Sequence, residues 1–140
     1  MREEKFLRAW LKEGKVTLTE KLLRVVDDYE IYQSLIGEDI DLGETINSPI
    51  RGSDNFPSFT VYIPTKLIEK GYDIRPEEIW FKDLADSRFG NVFTFCKYYA
   101  MHHFGDLLTS RYEVIKFIDE QLCLGLFSDA GPMRKAKKRN

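Results

Sequence analysis

Phe59-Thr60-Val61-Tyr62-Ile63, closed by Pro64, and Glu78-Ile79-Trp80-Phe81-Lys82 are the two stretches that decide the fold. Both are dense in β-branched and aromatic residues, the side chains that suit a pleated, half-buried surface. They read as two antiparallel strands. The connection between them, 64–77, is too long for a tight turn, and its Leu67 and Ile68 point to a helical turn. Alternation puts Phe59, Val61, Ile79 and Phe81 on one face of the ribbon and Tyr62 and Trp80 on the other.

Helical periodicity flanks this ribbon on both sides. Upstream, Thr17 followed by Glu20 is a capping-box pattern, and Leu22, Val25, Val26, Tyr29, Tyr32 and Leu35 recur at three or four residues up to Gly37, predicting one long helix. Phe6, Leu7, Trp10 and Leu11 predict a shorter helix over about 2–13 that stops at Gly14. The stretch 38–55, with Gly43, Asn47, Pro49, Gly52 and Asn55, reads as loop with one brief strand near Ile46. Downstream, Val92, Phe93, Phe95, Cys96 and Tyr99 share a helical face over about 92–101. Ser110 then caps a further helix carrying Val114, Ile115, Phe117, Ile118 and Leu122 before Gly125. The expected architecture is α+β: a sheet of two or three antiparallel strands flanked by helices. Its parts are an N-terminal helix in 1–16, the main domain in 17–127 and a basic, disordered tail in 128–140.

Composition narrows the function. One core is what 140 residues with 43% hydrophobic content sustain, and 21 basic against 23 acidic residues (net charge −2, pI near 5.7) exclude a uniformly basic nucleic-acid coat. The charge is unevenly placed. Arg134, Lys135, Lys137, Lys138 and Arg139 carry five positive charges, leaving residues 1–133 with 16 basic and 23 acidic residues, a net −7. This pattern suits an electrostatic arm better than a solubility device, although a plain linker gives the same composition. Cys96 and Cys123 are too few for a disulfide scaffold or a four-cysteine zinc site, so a reducing cytoplasm fits. No apolar run approaches the roughly 20 residues of a membrane span, and Met1-Arg2-Glu3-Glu4-Lys5 lacks the apolar core of a signal peptide.

Four segments in order, Ser48-Pro49-Ile50-Arg51, Pro57-Ser58-Phe59-Thr60-Val61, Phe81-Lys82-Asp83-Leu84-Ala85-Asp86 and Gly90-Asn91-Val92-Phe93-Thr94-Phe95, resemble the N-terminal zinc-binding domain of bacterial and bacteriophage DNA primases. In that family a Cys-Pro-x-His knuckle leads into a Pro-Ser-Phe strand, a Cys-x-x-Cys knuckle follows the next strand, and a Gly-Asn/Asp-x-Phe-x-Phe helix closes the ribbon. Val25-Val26-Asp27-Asp28-Tyr29 and Leu35-Ile36-Gly37 extend the likeness backward, so that it covers about 18–100. At the four metal positions this chain has Ser48, Arg51, Asp83 and Asp86. A guanidinium keeps its proton and does not serve as a zinc ligand in such a site, so the resemblance implies a zinc-free variant with no cofactor, similar to phage primase-like sequences with Arg in the first knuckle and Asp in the second. Structural zinc contributes about 10–16 kcal/mol in small domains, whereas a buried ion cluster is close to neutral after desolvation. Apolar burial of Phe59, Val61, Ile79, Phe81, Val92, Phe93 and Phe95, at about 1.5–3 kcal/mol each, must replace it, with Arg51, Asp83 and Asp86 fixing which loops meet.

By this resemblance the chain is expected to be the DNA-recognition domain of a phage-type primase, binding single-stranded template during primer initiation. It would have no catalytic activity of its own and would be a fragment or a stand-alone accessory protein. It would act in the cytoplasm, that of the host if phage-encoded, with a replication helicase or a primase catalytic domain as further partners. Tyr62, Trp80, Lys82 and Arg88, with Phe89, supply stacking faces and phosphate partners if they line an exposed sheet face, and the five tail residues add electrostatic contacts. Alternatively, Tyr62 and Trp80 belong to a second apolar face covered by a helix, and the chain is a protein-interaction module. Other sites are weak. His102 and His103 are adjacent, so on a helix they diverge by about 100°. Asp39, Asp41 and Glu44 read as a solvated loop, Cys96 as a buried thiol, and neither a Ser/His/Asp arrangement nor a phosphate loop occurs.

Overall fold

Two capping boxes, not one, organise the first helical stretch. In a computed structural model that describes residues 17–52 and 56–127, Thr17 and Glu20 cap α1 (Leu18–Leu23), and Asp27 and Glu30 cap α2 (Asp28–Ile36). The Asp27 carboxylate accepts the Glu30 N–H at 2.8 Å and the Glu30 carboxylate accepts the Asp27 N–H at 3.0 Å. The single helix expected over 17–37 is therefore broken at 24–27. Its apolar spacing runs through the break because Val25 and Val26 are buried by the same core. Tertiary contacts hold the break: Asp28, fully buried at the start of α2, accepts the Arg75 guanidinium at 2.7 Å and the Ile79 N–H at 3.0 Å. Burial raises the Asp28 carboxyl pKa, and Arg75 opposes that shift. Gly37, in the left-handed region at φ 91°, ends α2.

The sheet has four antiparallel strands in sequence order: β1 (Thr45–Ile46), β2 (Phe59–Tyr62), β3 (Trp80–Asp83) and β4 (Arg88–Gly90). The β2–β3 pairing and the helical turn between them, α3 (Thr65–Glu69), agree with the sequence reading, although β3 begins two residues later than expected. The strand beyond the expected two or three is β4. Its three residues follow a tight turn in which Ser87 takes a left-handed φ of 64°, so no run of β-branched residues announces it.

Gly90 joins β4 to the next helix. A Cβ at this position would sit 2.8 Å from the Thr94 Cβ, so glycine alone lets α4 (Val92–Phe104) start directly off the strand. The Asn91 side chain caps α4 by accepting the Phe93 and Thr94 N–H groups, and Gly105 ends it three residues beyond the expected Met101. Ser110 caps α5 (Arg111–Leu122) as its sequence suggests, with Cys123 left-handed at φ 56°.

Register sorts the sheet into two faces. Phe59, Val61, Phe81, Asp83, Arg88 and Gly90 point inward, toward α4; Thr60, Tyr62, Trp80, Lys82 and Phe89 share the outer face. Phe59, Phe81 and Phe95 form a triangle of rings with centroids 5.6–5.8 Å apart, and Tyr32 of α2 meets Phe95 at 4.9 Å. The Tyr32 hydroxyl donates to the Ile79 carbonyl at 3.0 Å, so even this buried ring has a polar partner. α5 packs on α4 and is covered by α1 and α2. The expected helix over 2–13 and the tail from 128 lie outside the described residues.

Candidate nucleic-acid interface

Two loops meet at the inner edge of the sheet, and one buried carboxylate joins them. Asp83, at the end of β3, is fully buried. It receives Arg51 Nε on Oδ2 at 3.0 Å and Arg51 Nη2 on Oδ1 at 3.2 Å, a two-point guanidinium–carboxylate pair. Ser58 Oγ donates to Oδ1 at 2.8 Å, the Ala85 N–H donates at 3.2 Å, and Ser48 adds another bond. Burial pushes the Asp83 pKa up, but the bonds from Arg51, Ser48, Ser58 and Ala85 outweigh it and hold the carboxyl below its usual value. Ser58 also receives an Arg51 hydrogen bond. It joined the cluster unforeseen; the signal was its place one residue before β2, opposite the turn that follows Asp83, where its carbonyl accepts the Leu84 N–H at 2.9 Å.

Asp86 does not join this cluster, which corrects the expected set. It lies on the exposed turn and pairs with Arg88, Nε to Oδ2 at 2.9 Å. Arg88 in turn donates from Nη1 to the Ile50 carbonyl at 3.3 Å and lies 4.5 Å from the Tyr98 ring centroid. The loops 48–52 and 83–88 are thus fastened twice, by Arg51 to Asp83 and by Arg88 to Ile50. Arg88 is cross-strand partner to Asp83 and therefore faces inward, away from Tyr62, Trp80 and Lys82. These residues do not fit zinc. The carboxylate is already taken up by a permanent cation, and among the described residues no group of three His, Cys, Asp or Glu side chains converges on one point.

The outer face brings the remaining ribbon residues together. Trp80 and Phe89 stack with centroids 6.5 Å apart and planes 25° from parallel, and the Lys82 ammonium lies 5.2 Å from the Tyr62 ring centroid. Phe89 is 64% exposed and Lys82 is exposed, while Tyr62 and Trp80 are half-buried. Trp80 Nε1 donates to Glu78 at 2.7 Å, which fixes the indole plane. The result is a strip of three aromatic rings and one cation along a sheet surface, a composition suited to stacking bases while meeting a phosphate.

The other sequence candidates take structural places. His103 stacks on Tyr99 at 4.1 Å and its Nε2 lies 2.7 Å from the Pro49 carbonyl, tying the end of α4 to the first loop. Cys96 is fully buried, and burial raises its thiol well above the usual range, away from nucleophilic use. Asp39 binds the Gln33 amide, and Asp41 and Glu44 are exposed. Arg134, Lys135, Lys137, Lys138 and Arg139 lie outside the described residues. No helix among the described residues is long and apolar enough to cross a membrane. Neither a family model, nor a curated protein, nor a solved structure matches the chain.

Proposed function

We propose that this chain is a zinc-free counterpart of the primase N-terminal ribbon and that it engages single-stranded DNA template on the outer face of its sheet, without catalysing synthesis itself. The observation that carries the reading is the strip formed by Trp80, Phe89, Tyr62 and Lys82. Base–aromatic stacking is tolerant of sequence and contributes about 1–3 kcal/mol per base, so three rings suffice for template binding without a basic coat. The double fastening of the 48–52 and 83–88 loops supports the same reading: side-chain pairing there does what a knuckle metal does elsewhere, and the ribbon keeps its register. A replication helicase or a primase catalytic domain is the natural further partner, in the cytoplasm where replication runs.

A specific observation favours a second reading, a protein-interaction module. Leu84 and Phe89 are 68% and 64% exposed, and residues 1–133 carry a net −7. Titration of a labelled oligo-dT at about 50 and 200 mM salt separates the two. DNA binding predicts affinity that falls with salt, and Trp80→Ala or Phe89→Ala weakening it by roughly 5- to 150-fold with an unchanged salt slope. Folded variants that bind the strand as tightly as the parent chain would overturn the DNA reading and leave the protein interface.

A further inference from the structure

Away from the sheet face, a cleft of about 620 Å³ opens between α1, the 73–78 segment and the N-terminal ends of α4 and α5. Three arginines line it: Arg24, Arg75 and Arg111. Two are engaged. Arg75 binds Asp28, and Arg111 reaches Thr19 Oγ1 at 3.3 Å while its guanidinium carbon lies 4.0 Å from the Phe93 ring centroid. Arg24 differs: its Nε and Nη2 are both buried, and neither has an acceptor among the described residues. Burying donors of a permanent cation without an acceptor is costly, and folded proteins rarely leave such groups unmet. The unmet pair is the side-on edge of the guanidinium, the same edge with which Arg51 grips both oxygens of Asp83 in this molecule. Two oxygens of one oxyanion match that spacing.

We infer that the cleft is a phosphate subsite and that Arg24 turns its Nε–Nη2 edge, which is covered in this structure, onto the phosphoryl group. Asn91, the N-cap of α4, and Arg111, the first residue of α5, also line it, so the positive ends of a 13-residue and a 12-residue helix open toward the same space. Carboxylates fringe the cleft and set the charge it accepts. Glu20 and Asp27 serve helix caps and Glu78 serves Arg75 and Trp80, while Asp73 and Glu77 add negative charge at the mouth. This fringe favours a mononucleotide or one backbone phosphodiester over a triphosphate. The phosphoryl group stands on Arg24 alone; its delivery by a DNA strand rests on the function proposed above.

The test uses the full chain, dTMP and an oligo-dT without terminal phosphates, read by thermal unfolding and by the NMR signal of the Arg24 Nε–H. Without ligand, Arg24→Met should melt at or above the wild-type temperature, because the buried Nε and Nη2 donors it removes have no acceptor among the described residues. dTMP at ten times its Kd should raise the wild-type Tm by about 5 °C, shift the Arg24 signal and leave the Met variant unmoved. A lower Tm for the ligand-free variant, or equal dTMP responses, overturns the subsite. If oligo-dT also shifts the signal and Arg24→Met lowers the salt slope by about 0.7, the strand supplies the phosphate. A response to dTMP alone keeps the subsite for a free nucleotide and takes the strand away from it, whether or not oligo-dT binds the sheet face. Oligo-dT binding with Arg24 silent to both ligands removes the subsite and leaves the sheet face.

Discussion

At the scale of single residues, Arg51 and Asp83 carry more than their size suggests. Asp83 is fully buried, so deleting its partner strands a carboxylate away from water. Arg51→Ala should cost about 3 kcal/mol, the low end for a buried pair because Arg51 keeps 22% side-chain exposure, whereas Lys82→Ala on the exposed face should stay within about 0.5 kcal/mol. Denaturant midpoints of the two variants check this, and equal values would remove the bridge from the account. The same site sets a pH response. The folded Asp83 pKa lies below its unfolded value of 3.8, so its contribution is present above pH 3.8 and is lost as pH falls through the folded value. Asp28, raised above 3.8 chiefly by burial, acts in the opposite sense: its contribution is present below 3.8 and is lost as pH rises through the folded value. Melting curves between about pH 2 and 6 should therefore show a shallower acid limb below 3.8 in Asp83→Asn than in the wild type.

Among elements, the junctions decide the outcome. Asp27 starts α2 as its N-cap, and its loss should cost about 1 kcal/mol through the cap alone. Asp27→Ala with a wild-type midpoint would mean that Asp28 and Arg75 hold the break unaided. Gly90→Ala should be worse, about 1–3 kcal/mol, because the new methyl would press on Thr94 and tilt α4 off the sheet. The periodicity that wrongly predicted one helix over 17–37 and the short run that hid β4 have different physical causes. The start of α2 is set by partners distant in sequence, Arg75 and Ile79, while local apolar spacing continues smoothly through the break. β4 pairs with its neighbour β3 across a tight turn, and its three residues are too few to show an alternation.

For the whole molecule, two expectations follow from the zinc-free, DNA-binding ribbon proposed above. The chain should unfold at the same temperature with and without a strong chelator, and elemental analysis should find no stoichiometric zinc; zinc bound one to one would show that Ser48, Arg51 and Asp83 do not occupy the knuckle positions. If single-stranded DNA binds, removing residues 134–140 should flatten the salt slope by as much as about 3.5, at roughly 0.7 per phosphate contact, and leave the aromatic contribution of the sheet in place. The sequence by itself determined the strand pair, its two faces and the helices after it, and its motif segments placed Arg51 near Asp83 or Asp86. Each of these follows from short-range patterning, or from motif segments whose order along the chain brings two loops to one ribbon edge. Tertiary structure alone decided that Asp86 leaves the cluster for Arg88, that Ser58 enters it, that Arg88 turns inward and that Arg24 is buried without an acceptor. A charged side chain chooses among several partners within reach, and which one it meets depends on the packing of the whole chain.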